Sequence, residues 1–189
     1  MPIERSSDFK GIFCKACENG DLNHVKKIHE QLQLDLDIVD NLSYYEELLN
    51  TGINDAIENS QLKIVQYIFE QNHGNGTIDT NAILNTACLY DQADIAKYIL
   101  EKNKLNDLNL DIDDAFKIAF DFSFIEIIKI FVFDHNIEIN DTVNKCLYMD
   151  FSGIAKEVQA MFKSRELNKQ LTSELKPNDE SINSKKLKV

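Results

Sequence analysis

The sequence predicts an all-α protein built from about five consecutive helix–turn–helix units. Three observations predict this fold class. Only 2 prolines and 6 glycines occur among the 189 residues, which is too few for a β-rich fold with many turns. A single pattern recurs about every 33 residues, and it ends in a segment with apolar residues at helical spacing. Such units are stable only when each packs against its neighbours.

Each copy of the pattern is centred on one small residue, which we call the anchor. The anchors are separated by 40, 31, 32 and 27 residues, and they are Ala16, Ala56, Ala87, Ala119 and Cys146. Small side chains here allow neighbouring helices to approach closely. A turn residue follows each anchor by four positions. These residue types tolerate helix ends or cap the next helix, and they are Gly20, Ser60, Asp91, Ser123 and Asp150.

Apolar residues indicate the two helices of each unit in order. The first helix carries the residues around the anchor, and the second carries a stripe that faces the core. For each unit in chain order, the apolar residues of the first helix are given before the word 'then' and those of the second helix after it: Phe13 and Cys17, then Leu22, Val25 and Ile28; Ile53 and Ile57, then Leu62, Val65 and Ile68; Leu84 and Cys88, then Ile95, Ala96 and Ile99; Phe116 and Phe120, then Ile127, Ile128 and Phe131; Val143 and Leu147, then Ile154, Ala155 and Val158.

Two intervals depart from the average period. The first contains an insertion, 34–42, in which Asp35, Asp37 and Asp40 alternate with apolar residues. Ser43 and Glu46 after it form a capping-box pattern, so a helix is predicted to begin near Ser43. The short last interval indicates a trimmed loop and an atypical terminal unit.

The composition changes near residue 164. Residues 164–189 contain six basic and four acidic residues, and Leu167 and Leu171 are four apart. We therefore expect a repeat domain over 1–163, and a C-terminal helix to about Leu175 with a flexible tail over 164–189.

The segment Ala16-Cys17-Glu18-Asn19-Gly20-Asp21-Leu22-Asn23-His24-Val25-Lys26 resembles the core of the ankyrin-repeat family, Ala-Ala-x-x-Gly-His-x-x-Ile-Val-Lys. Residues 59–65 and 92–101 are similar to the same segment, and the resemblance covers about 9–163. It implies an ankyrin-like solenoid. The Thr-Pro-Leu-His opening is replaced, for example by Gly11-Ile12-Phe13-Cys14, so eroded hairpin loops are expected. A different α-solenoid is the structural alternative.

The charge excludes some partners. Acidic residues outnumber basic ones 32 to 20, for a net charge of −12, and residues 1–163 carry −14. Phosphate surfaces would repel such a protein, so nucleic acid and anionic membranes are not expected as partners. No apolar run approaches the roughly 18 residues of a membrane span. Four cysteines without a signal peptide favour free thiols in an intracellular, cytoplasmic protein.

Cys14, Cys17, His24 and His29 have metal-ligand side chains, and a zinc-binding module is one alternative. The repeat explains them better, because Cys17 occupies the position of Ile57 and Cys88. We therefore expect packing residues and neither a metal nor a cofactor.

Catalytic motifs give no stronger signal. Residues 73–76, His-Gly-Asn-Gly, lack the strand–helix context of a phosphate-binding loop. The pairs Asp113-Asp114 and Glu46-Glu47 could act as general acid and base, but they stand in first turns of predicted helices, where acids favour the helix dipole. We expect no enzyme.

The resemblance to ankyrin repeats also implies a binding groove. In that family the two residues after the alanine pair point toward a concave face. We call the equivalent residues here the surface row: Glu18, Asn19, Glu58, Asn59, Leu89, Tyr90, Asp121, Phe122, Tyr148 and Met149. The first two units contribute acids and amides, and the last three contribute mostly apolar side chains. The alternative is that these side chains fold into the groove or contact the tail helix.

We therefore predict a monomeric scaffold for protein–protein interaction, whose partner has a basic patch and an apolar anchor. Eroded repeats look like those of intracellular bacteria and large viruses. The tail, with Glu166, Glu174, Glu180 and Leu187, is similar to signals of type IV secretion. A further hypothesis is thus a bacterial effector translocated into a host cell, and another is an inhibitory subunit that blocks an enzyme.

Overall fold

The computed structural model describes residues 7–35, 42–72, 77–106, 108–149 and 153–175. These residues form ten α-helices and one π-helical turn, Ile130–Asp134, without a β-strand in the described ranges. The all-α prediction is confirmed. The helices are α1 Ser7–Glu18, α2 Leu22–Asp35, α3 Leu42–Glu58, α4 Leu62–Asn72, α5 Thr80–Leu89, α6 Ala93–Asn106, α7 Ile112–Asp121, α8 Ile125–Lys129, α9 Asp141–Tyr148 and α10 Ala155–Glu174.

The helices pack as five antiparallel pairs in sequence order. Each odd-numbered helix contacts its own even-numbered partner and the next odd-numbered helix, from α1 to α9. The even-numbered helices α2, α4, α6 and α8 also contact one another in series. One continuous apolar core runs between the two layers. None of the described helices is long and apolar enough to cross a bilayer.

The anchors and turn residues explain why the pairs repeat. All five anchors are buried. Gly20, Ser60, Asp91 and Ser123 all have the left-handed backbone conformation, with φ between 54° and 73°. In each of these turns the amide five residues after the anchor donates to the anchor carbonyl, as from Asp21 to Ala16 at 2.9 Å. The predicted turns are confirmed at these four positions, whereas Asp150 lies outside the described residues.

Asparagine side chains six residues before the anchors Ala56, Ala87 and Cys146 connect neighbouring pairs. Asn50 donates to the carbonyl of Thr77 at 3.1 Å, and the amide of Asp111 donates to Asn81 at 2.7 Å. Asn140 donates to the carboxylate of Asp113 at 2.8 Å. These bridges hold the connecting segments against the preceding pair.

The fourth pair departs from the pattern in its second helix. Helix α8 has only five residues and continues as the π-helical turn, in which the amide of His135 donates to Ile130 at 2.8 Å. Arg165 of α10 is 8% exposed and donates through Nη1 to the carbonyls of Val132, at 3.2 Å, and Ile137, at 2.6 Å. The guanidinium thus ties the last helix to the carbonyls around this turn.

Helix boundaries differ slightly from the sequence predictions. Helix α3 begins at Leu42, one residue before Ser43. Helix α10 runs without a break through the boundary placed between 163 and 164, and its buried residues Val158, Met161, Phe162 and Arg165 lie on both sides of that boundary. The insertion residues 36–41, the loop 73–76 and the tail 176–189 lie outside the described residues.

Candidate functional site

The surface row lies where the odd-numbered helices end. In each pair, the first of its two residues is the last residue of the helix, and the second begins the turn. The odd-numbered helices contact one another in sequence order. The row residues therefore stand at equivalent positions of consecutive units, and the side chain at each position decides its chemistry.

Nine of the ten row residues are exposed, and Glu18 is half-buried. The apolar members have large exposed fractions: Leu89 45%, Tyr90 41%, Phe122 55%, Tyr148 91% and Met149 56%. These five side chains do not fold into the core. The row positions of the last three units thus carry exposed apolar side chains, whereas those of the first two units are polar.

Contacts between neighbouring pairs order part of this edge. The hydroxyl of Tyr90 bonds to the carboxylate of Glu58 in the preceding pair, and this bond raises the pKa of Tyr90 above its usual value. The ring of Phe122 stacks on Phe124, with centroids 5.7 Å apart and planes 12° apart. Two aromatic side chains of the row therefore contact neighbouring side chains while they remain exposed.

The acids of the row also have partners of their own. Lys15 contacts Glu18 at 2.8 Å, and Lys117 contacts Asp121 at 2.5 Å. Both pairs are solvent-exposed, so they contribute little to stability and can exchange with charges of a partner.

The four zinc candidates do not form one cluster. His24 is exposed beside Asp21, and His29 is buried with both ring nitrogens in hydrogen bonds. Burial, followed by a hydrogen bond with Asp55, raises the pKa of Cys14 to about 12, and burial raises that of Cys17 further. Within the described ranges, no three His, Cys, Asp or Glu side chains converge on a metal position.

The acidic pairs have structural contacts. Asp113 accepts from Asn140, and Glu47 forms an ion pair with Lys10 at 2.6 Å. Asp113 and Asp114 stand in the first turn of α7, where Asp111 caps the amide of Asp114. These contacts join helix pairs and helix ends.

A buried polar cluster between the first two pairs was not predicted from the sequence. The Tyr45 hydroxyl donates to Asn72 Oδ1 at 2.9 Å, so its oxygen accepts from His29 Nε2 at 2.5 Å. His29 Nδ1 then accepts from the Tyr67 hydroxyl at 3.0 Å in the neutral imidazole. Burial is the largest influence on His29 and lowers its pKa. Tyrosine and histidine at helical spacing give no sequence signal that separates such a cluster from an exposed face.

Comparisons with protein-family models, with curated proteins and with solved structures find no match to this chain.

Proposed function

We propose that this chain is a non-catalytic scaffold that binds a protein partner through the surface row. The supporting observation is the exposure of Leu89, Tyr90, Phe122, Tyr148 and Met149 at the ends of three consecutive odd-numbered helices. Tyrosine anchors dominate binding energy at many protein interfaces, and contiguous exposed apolar side chains mark interaction sites. We further propose that the five helix pairs form an ankyrin-like solenoid, which the repeated anchor and turn geometry favours.

The chemistry of the row suggests what the partner carries. Glu58 and Asp121 lie beside the apolar side chains, and the whole chain has a net charge of −12. A partner with an apolar anchor and basic residues at its rim would match this surface. The charge would increase the association rate, and the apolar contacts would supply most of the affinity.

The proposal is tested with a photo-crosslinking amino acid placed at position 148 of the full-length chain. The control places it at position 105, where Leu105 is 78% exposed near the far end of α6. That position is about 18 Å along the helix from its turn. In lysate of the natural cell, we expect a discrete protein adduct at position 148 that is missing at position 105.

The double variant Tyr90→Ala/Phe122→Ala is then made in the chain with the crosslinker at position 148. We expect the adduct to disappear, because both truncated side chains belong to the same surface. Equal adducts at positions 148 and 105, or an adduct that survives the double variant, would exclude the row as the binding surface.

A further inference from the structure

The outward face of the last helix pair contains an apolar groove that we call the end groove. It has a volume of about 620 Å³ and lies between α10 and the segment that leads into and through α9. Its apolar lining is Ile139, Leu147, Ala160, Phe162 and Leu167. Leu171 continues the apolar stripe one turn beyond Leu167, and both leucines are about half exposed, at 48% and 56%.

In the other four helix pairs, the residue that corresponds to Leu147 is buried. Leu147 directly follows the anchor Cys146, and the residues at the same position in the other four pairs are 0–2% exposed because the next pair covers them. Leu147 is only partly buried, because no later pair packs on it in the described part of the chain. The last pair therefore presents a surface that the other pairs bury.

Helix α10 lacks the acidic excess of the whole chain. The helix carries four basic and three acidic side chains, whereas the chain as a whole has 20 and 32. Two copies of a protein with net charge −12 repel each other, and this repulsion is reduced where two α10 helices meet.

The groove side of α10 has lysines toward its N-terminus and a glutamate at its C-terminus. Lys156 and Lys163 line the N-terminal part of the end groove. Glu166 also lines the groove, but its carboxylate is already paired with Arg165 at 3.0 Å and Lys169 at 3.2 Å. Glu174 follows Leu167 by seven residues and so lies on the same side of the helix as Leu167. When two such helices lie antiparallel, Lys156 of one faces Glu174 of the other.

We propose that two copies of this chain associate through their end grooves, with the two α10 helices antiparallel. Leu167 and Leu171 of each copy enter the groove of the other, and Lys156 lies next to Glu174 of the second copy. A two-fold axis makes the contact self-complementary and closed. This inference goes beyond the proposed function and replaces the monomer expected from the sequence.

Sedimentation equilibrium of the full-length chain tests the proposal. We expect twice the chain mass of 21.7 kDa for the wild type, and the single-chain mass for Leu167→Glu/Leu171→Glu. Both leucines are exposed, so circular dichroism should show an unchanged fold. The matched control Leu105→Glu, on α6, stays a dimer. The proposal is wrong if the wild type sediments as a monomer at all concentrations. That result would include the case in which the chain's own residues 176–189 cover the groove.

A charge exchange tests the antiparallel arrangement. We expect Lys156→Glu and Glu174→Lys each to raise the dimer dissociation constant about tenfold, because the symmetric dimer contains the pair twice. Lys156→Glu/Glu174→Lys restores the wild-type value, since the two charges have changed places. If the double variant loses as much dimerisation free energy as the two single variants together, the antiparallel arrangement is wrong.

Discussion

The first two helix pairs and the last three share buried anchors but differ in the chemistry of the surface row. In the first two, the surface row is polar and the interior contains the hydrogen-bonded cluster of His29, Tyr45, Tyr67 and Asn72. In the last three, the row is mostly apolar and exposed. Anchors and turns fix where each position lies, and the variable positions determine what each half can bind.

The two regions also differ in how much their side chains contribute to stability. Side chains such as Tyr148, at 91% exposure, bury little surface against the described part of the chain and therefore contribute little to its stability. The buried polar groups of the first half, in contrast, must keep their hydrogen bonds to avoid a desolvation cost. We expect variants in the two regions to affect different measurements.

The largest loss of stability is expected for Arg165→Ala. The change leaves the buried carbonyls of Val132 and Ile137 without this donor and removes the guanidinium that lies 5.1 Å from the centre of the Phe162 ring. We expect a decrease of about 3 kcal/mol in the free energy of unfolding, measured by urea denaturation. The control Lys169→Ala, exposed on the next turn, should change it by less than about 0.5 kcal/mol. Equal effects would refute the role of Arg165.

Alanine substitutions at two glycines of the first two pairs should change the free energy of unfolding in opposite directions. A Cβ at Gly52 would lie 2.4 Å from Phe13 Cε1 and 3.0 Å from Cys17 Sγ, whereas a Cβ at Gly11 would have no neighbour within 4 Å among the described residues outside its own helix backbone. Gly52→Ala should destabilise by about 1–3 kcal/mol through overpacking of α1 against α3. Gly11→Ala should stabilise by up to about 1 kcal/mol, because alanine favours the helix. Thermal unfolding of both variants decides this, and stabilisation by Gly52→Ala would contradict the close approach.

The polar cluster should make stability depend on pH. Because burial lowers the pKa of His29 in the folded state, the unfolded chain binds its proton more readily. Stability is then complete above the unfolded pKa of about 6.5 and decreases as the pH falls below it. His29→Gln should be less stable at pH 8 but lose less stability between pH 7 and 5.

The pKa of His135 is also lowered, by burial and then by Lys104, so it contributes with the same sign. The variant His135→Gln therefore serves as the control, and it should retain the part of the pH dependence that belongs to His29. A pH profile unchanged by His29→Gln would argue against the buried neutral imidazole.

The smallest effect on stability is expected for Tyr148→Ala. Its side chain is almost fully exposed, so the free energy of unfolding should change by less than about 0.5 kcal/mol in urea denaturation. A loss above 1 kcal/mol would mean that the row is part of the folding core of the last three pairs.

Much of the fold could be predicted because small anchors and turn residues recur at fixed spacing. Ser60, Asp91 and Ser123 adopt the conformation that Gly20 adopts, so one glycine revealed the geometry of the other turns. The π-helical turn and the contacts of Arg165 could not be predicted, since both depend on carbonyl groups brought together only by packing. The bridges from Asn50 and Asn81 could not be predicted for a similar reason, because an asparagine within a helix also fits an exposed position.

The candidate surface was predicted in position through the family resemblance, and the exposure of its side chains required the structure. Alternation of apolar and polar residues cannot tell whether Tyr90 folds inward or bonds to Glu58. That contact depends on the distance between two neighbouring helix pairs.

The central claim is that the apolar part of the surface row binds the partner. The most direct measurement uses isothermal titration calorimetry with the purified partner that the crosslinking identifies. It compares the affinity of this partner for Tyr90→Ala/Phe122→Ala with its affinity for Glu18→Gln/Asn19→Ala, a variant at the polar end of the row. We predict at least a 100-fold loss for the first and less than about tenfold for the second, with both proteins folded by circular dichroism. An unchanged affinity of the first variant would contradict the account.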